Sequence, residues 1–212
     1  MLTRLKITWK CKLWLLLALV SCSPEVVNYG YGDYYVEIVT ALGNNTFLLD
    51  RGQTLYDSNQ TAKQSFTSGD RVYLYFSYGD ALSDPIKVHA ASKIFSDTLK
   101  RMPEEKISQQ ANAPVRLESA WTGSRYLNLH LYLEYRSKAH KIALVVDEAQ
   151  VEESEIHLYL RHDTNGDTPG YPTSIYVSYD LSKALGEPQG DRNLLVHLNT
   201  TNYGEKTSTF KY

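Results

Sequence analysis

Asp163-Thr164-Asn165-Gly166-Asp167 sets oxygen-bearing side chains at alternate positions around a glycine. A calcium loop begins this way, because the cation takes several oxygen ligands at once, and Asp163, Asn165 and Asp167 are the candidate ligands. Position twelve of such a loop, counted from Asp163, is Ser174 and not a bidentate acid, and Pro169-Gly170 interrupts the approach to it. Asp-Asn-Gly sequences also form ordinary turns, so the segment reads as a turn carrying an incomplete cation site, and no metal is expected. The histidines, His89, His130, His140, His157, His162 and His197, are scattered, with no His-Glu-x-x-His run for zinc and no Gly-x-Ser-x-Gly turn for a nucleophile. Asp147-Glu148 and Glu152-Glu153-x-Glu155 fall between strand-like segments with nothing apolar nearby to raise a carboxyl pKa, and read as a solvated loop. No catalytic residue and no cofactor is implied, and the chain reads as a protein without enzyme activity.

The constellation that remains is one of contact chemistry. In Tyr126 to Glu134, leucines 127, 129, 131 and 133 alternate with Asn128, His130 and Tyr132, and in Ile156 to Arg161 the apolar positions alternate with His157, Tyr159 and Arg161. Strand side chains point to opposite faces in turn, so the leucine rows predict a core face and the others an outward face. His130, Tyr132, His157, Tyr159 and Arg161 form the candidate binding surface, with Tyr176 and His197 beside them. Flat tyrosine-rich surfaces offer large contact areas with hydrogen-bonding tips, which suits a protein partner or sugar rings. Tyrosine also simply favours strands, and a solvated sheet is the plainer account of the same pattern.

The elements that must position these residues are strands. Seventeen tyrosines and repeated apolar alternation point to an all-β chain in two parts. Residues 34–100 carry five short strands: Tyr34 to Val39, Thr46 to Leu49, Thr54 to Tyr56, Arg71 to Phe76, and a closing one within Ile86 to Phe95. They suit a small OB-like barrel. Residues 101–114, polar and bracketed by Pro103 and Pro114, read as a linker. Residues 115–212 hold seven strand segments at the spacing of an immunoglobulin-like β-sandwich.

Ahead of this body, Arg4, Lys6, Lys10 and Lys12 precede the eight-residue apolar run Leu13 to Val20, with no acidic residue before Glu25. This is the order of a secretory signal, and eight residues are too few to span a bilayer. Leu19-Val20-Ser21-Cys22 resembles the lipobox of bacterial lipoproteins. The resemblance implies cleavage after residue 21, a diacylglycerol on Cys22, a tether over 22–33, and a location in the cell envelope, with Ser23 favouring the outer membrane. Loss of the leader leaves 18 basic against 24 acidic residues, a formal charge of −6, which argues against nucleic acid as a partner. It also leaves no second cysteine, so no disulfide forms and the core alone must hold the fold.

Phe47-Leu48-Leu49-Asp50-Arg51-Gly52, Gly69-Asp70-Arg71-Val72, His162-Asp163 and Val177-Ser178-Tyr179-Asp180-Leu181, together with the lipobox and the barrel-then-sandwich order, resemble the NigD-like lipoproteins. That family is tied by name to a bacteriocin operon. The resemblance implies immunity or envelope protection exercised by binding a protein or glycan; a structural accessory role in an outer-membrane assembly is the alternative reading.

Overall fold

The computed structural model describes residues 34–58, 60, 65–79 and 85–212. The signal segment, Cys22 and the tether over 22–33 lie outside the described residues. Five strands form the first sheet: β1 (Tyr34–Gly43), β2 (Thr46–Leu49), β3 (Thr54–Tyr56), β4 (Arg71–Ser77) and β5 (Lys87–Lys93). The sheet order is β3-β2-β1-β4-β5, with every neighbouring pair antiparallel. A bond from Ile86 N–H to Tyr56 O at 2.9 Å joins the approach to β5 to the end of β3, giving the closed order of an OB-like barrel. Asn44 and Asn45, at φ 50° and 57°, make the tight turn between β1 and β2, a conformation asparagine tolerates better than most residues. The barrel core is the inward row: Val39 and Ala41, Phe47 and Leu49, Leu55, Val72, Leu74 and Phe76, Ile86 and Val88.

The sandwich is assembled from β6 (Phe95–Thr98), β7 (Lys100–Met102), α1 (Glu104–Gln109), β8 (Arg116–Gly123), β9 (Tyr126–Tyr135), β10 (Lys141–Asp147), β11 (Glu155–Asp163), β12 (Tyr171–Asp180), α2 (Ser182–Leu185), β13 (Asn193–Thr200) and β14 (Gly204–Lys211). One sheet runs β6-β12-β9-β8 and the other β14-β13-β11-β10-β7. The leucine rows face each other as the alternation requires. Leu127, Leu129, Leu131 and Leu133 from β9 meet Leu144 and Val146 from β10 and Ile156, Leu158 and Leu160 from β11 in one buried cluster.

The division at residues 101–114 is corrected. Phe95 opens β6, which pairs in parallel with β12, and Lys100 to Met102 pair in parallel with β10. Leu99 between them is buried in the sandwich core, its N–H bonded to Asp180 O, where the chain steps from one sheet to the other. The rest of the supposed linker carries α1, whose Ile107 is buried, and the bridge Asn112 to His162, and Val115 directly after it bridges to Thr200. These edge strands are polar and only three or four residues long, so no apolar alternation announces them; pairing partners far along the chain define them instead. The sandwich therefore begins near residue 95, and the barrel and sandwich fall within one compact unit, residues 32–212.

Candidate functional site

The barrel is fixed to the outer face of sheet β6-β12-β9-β8 through Arg71, of which 1% is exposed. Its Nε donates to Ser178 Oγ (3.0 Å), Nη1 to Thr40 Oγ1 (2.9 Å) and Asp50 Oδ1 (2.6 Å), and Nη2 to Asp50 Oδ2 (2.8 Å) and Asn128 Oδ1 (3.1 Å). All five guanidinium donors are thus used, and the Tyr126 ring lies beneath at 3.9 Å. Asn128 Nδ2 returns a bond to Asp50 Oδ2, and Ser178 Oγ donates to Asn128 Oδ1. A buried charge is tolerated only when paired and hydrogen-bonded, and here both conditions hold. Asn128, expected on a solvated face, is instead buried in this seam. Three of the motifs singled out in the sequence meet here, supplying Asp50, Arg71 and Ser178.

Beside the seam the outward faces of barrel and sandwich carry one run of rings. Tyr73 of β4 lies 5.2 Å from Tyr176 of β12, Tyr176 stacks on His130 of β9 at 4.2 Å, and His130 lies 5.5 Å from Tyr132. The guanidinium of Arg116 covers Tyr132 at 4.3 Å. Two residues along β4 on the same face, Tyr75 joins Tyr34 and His89 in a second group of rings, 5.0 to 5.5 Å apart. Burial pushes the Tyr176 and Tyr135 phenols up and the His130 imidazole down from their usual values. These three groups are therefore uncharged at neutral pH.

A cleft of about 430 Å³ opens between the two parts next to Tyr73 and Tyr176. Phe95 and Tyr135 complete its aromatic walls, with Ser92, Lys93 and Ser174 among its polar groups. The cleft was not legible from the sequence, since it depends on the seam, and neither was the ring group of Tyr34 and His89, since it depends on the pairing of β1, β4 and β5; the period-two alternation of Arg71 to Phe76 is the signal that could have found Tyr73 and Tyr75.

The five residues of the candidate surface do not form one patch. His130 and Tyr132 lie on the sheet that meets the barrel, whereas His157, Tyr159 and Arg161 lie on β11, in the opposite sheet. The alternation of each strand is as expected, but two strands with matching periods belong to different layers. On that second face His157 Nδ1 and His197 Nε2 are 2.8 Å apart, Tyr159 stacks on His197 at 4.8 Å, and Arg161 covers Tyr159. Burial lowers the His197 pKa, with neighbouring His157 and Arg161 adding to the effect.

The Asp163 to Asp167 segment is a loop clamp. Asp163 Oδ1 accepts from Asn165 N–H at 2.7 Å, and Asn165 and Gly166 take φ of 54° and 69°. Asp167 accepts from the Arg136 and Ser137 amides at 2.8 and 3.1 Å, and Asn165 Nδ2 reaches Ala139 O. Those amide bonds hold the Asp167 carboxyl far below the usual carboxylate range. Among the described residues no group of three His, Cys, Asp or Glu side chains could hold a metal ion.

Residues 98–212, more than half of the chain, match the family described as the NigD-like C-terminal beta sandwich domain. Comparison with the curated proteins gives no match. Among solved structures, a protein of unknown function from Bacteroides vulgatus is similar with a TM-score of 0.71 at 20% identity, covering 84% of this chain and 90% of that one. A Parabacteroides distasonis protein described as toxin-related has a TM-score of 0.69 at 25% identity, with 85% and 93% covered. A NigD-like immunity protein from Bacteroides caccae has a TM-score of 0.63 at 20% identity, with 87% and 98% covered. The match over residues 98–212, which takes in nearly all of the sandwich, leads to one conclusion: the chain belongs to the NigD-like family.

Proposed function

We propose that this chain is a lipid-anchored envelope protein that works as a non-catalytic binding module in bacteriocin immunity or envelope protection. The observation that carries the reading is the run of half-exposed rings from Tyr73 through Tyr176 and His130 to Tyr132, held in place by a fully bonded seam. Rings already packed on one another lose little freedom on binding, and tyrosine contributes wide contact with a polar tip. The anchor rests on the lipobox ending at Cys22, and Ser23 favours the outer membrane. The immunity role rests on family membership and on the name of the Bacteroides caccae relative.

Two measurements test it. Cys22→Ser should abolish incorporation of labelled fatty acid and release the protein from membranes; a mutant that still incorporates label sinks the anchor. Affinity capture from solubilised envelopes should recover a partner with the native chain and lose at least tenfold of it with Tyr132→Ala/Tyr176→Ala, while the melting temperature stays within a few degrees. Undiminished capture by that folded variant would show that the ring surface is not the binding site.

A further inference from the structure

We propose that the cleft between the barrel and the sandwich binds a neutral carbohydrate, one or two pyranose rings deep. The proposal rests on the reading of this junction as the binding surface and names the chemistry of what it takes. Four rings wall the cleft: Tyr73 from the barrel, Phe95, Tyr135 and Tyr176 from the sandwich. Three of them end in phenolic hydroxyls, and Ser92 and Ser174 add two more. A pyranose has the matching shape, with a flat C–H face that stacks on an aromatic ring and a rim of hydroxyls that trade bonds with phenols and serines.

Charge narrows the class further. The lining holds no carboxylate, so a cation would meet ring faces there but no ion pair. Its one ammonium, Lys93, lies 2.6 Å from Asp70, whose carboxylate offsets its charge toward an anion. His140, on the sandwich wall, has Nδ1 committed to His162 Nε2 at 2.9 Å and its ring packed on Tyr135 at 4.3 Å. Burial keeps the Tyr135 and Tyr176 phenols protonated, and so able to donate. A volume near 430 Å³ sits at the lower end of the range for small-molecule sites. The rings are braced in advance: Tyr73 rests against Tyr176, which is stacked on His130, itself 2.7 Å from Ser174 Oγ. Such bracing lets a weakly attractive, uncharged ligand bind without a large ordering cost.

Maltopentaose, cellopentaose, xylopentaose and mannopentaose, titrated one at a time into the full chain by calorimetry, are the probes. At least one should bind saturably, Tyr176→Ala should weaken it tenfold or more, and Tyr176→Phe, which keeps the ring and loses the hydroxyl, should weaken it less. Tyr203→Ala, an exposed ring on the β13–β14 turn, should leave binding unchanged. Absence of binding by all four sugars, or binding indifferent to Tyr176→Ala in a folded variant, overturns the proposal. If no sugar binds while envelope capture still depends on Tyr132 and Tyr176, the carbohydrate assignment falls and the binding-module reading stands. If capture is indifferent as well, both fall. Saturable binding of an apolar peptide in the cleft, with no sugar competing, likewise overturns it.

Discussion

Arg71 is the residue on which most of the arrangement depends, because one side chain satisfies Thr40, Asp50, Asn128 and Ser178 at once. Removing it leaves the Asp50 carboxylate without its bidentate partner in a largely enclosed position. Breaking a buried pair from one side costs about 3–5 kcal/mol, and Arg71→Ala should lose stability on that scale in chemical denaturation. Arg71→Lys should recover only part, since an ammonium cannot make the planar two-pronged contact. Gly123 is a second point of close approach. A Cβ built there would lie 2.6 Å from Asp50 Oδ2, so Gly123→Ala should cost about 1–3 kcal/mol through overpacking. Histidine sets the pH response. Burial lowers the pKa of both His162 and His197 from the ordinary 6.5, so the folded chain keeps them neutral while the unfolded chain takes up protons. Their contribution to stability is whole above pH 6.5 and declines as pH falls from 6.5 through the folded values. Geometry agrees: His162 Nδ1 donates to Ala113 O, so Nε2 of the neutral ring accepts from His140 Nδ1, and a second proton would set two N–H groups face to face at 2.9 Å. Melting temperature measured across this window should fall on acidification, and His162→Gln should flatten the slope; an unaltered slope would remove His162 from the account.

Among the elements, β6, β7 and α1 change the picture most. Residues 101–114, which end β7 and carry α1, read as polar linker, yet the amides of Lys106, Ile107, Gln110 and Ala113 are all bonded, and Asn199 Nδ2 holds Asn112 O at 2.7 Å. Proteases cut where backbone is unpaired and exposed. Residues 101–114 should therefore resist limited proteolysis of the native protein, and mass spectrometry that finds first cleavage there would show these edge pairings to be too weak to hold. The central strand β9 is the opposite case, a long alternating segment paired on both sides. Leu129→Ala should cost about 2–5 kcal/mol, because the site loses transfer energy and keeps a cavity. Tyr132→Ala, on the other face of the same strand, should change stability by well under half of that, and comparable losses would mean that the face is covered.

Across the whole molecule, the barrel and the sandwich have separate apolar cores but share the seam. Coupling through a buried ion pair and the Tyr73–Tyr176 contact should make them unfold together. Calorimetry should give one transition whose van't Hoff and calorimetric enthalpies agree, and Arg71→Ala should split it into two. Two transitions in the native chain would mean that the seam is weaker than its bonding implies. The same coupling places the ring surface on a rigid junction, as a preorganised site requires.

Strand identity was legible from the sequence because it is local: period-two alternation in β9 and β11 gives the buried and outward rows directly, and turn residues bound β2 and β3 to the residue. Family resemblance was legible for the same reason, since short motifs such as Gly69-Asp70-Arg71-Val72 are contiguous. What they do was decided only in three dimensions. Alternation says which face a side chain takes but not which sheet the strand joins, so His130 and His157 look equivalent and end on opposite sides of the sandwich. Burial of Asn128 and Arg71 could not be read either, because a polar residue inside is stable only through partners up to 107 positions away. The cleft could not be read for the same reason, since its walls bring together strands far apart in the sequence, such as β4 with Tyr73 and β12 with Tyr176.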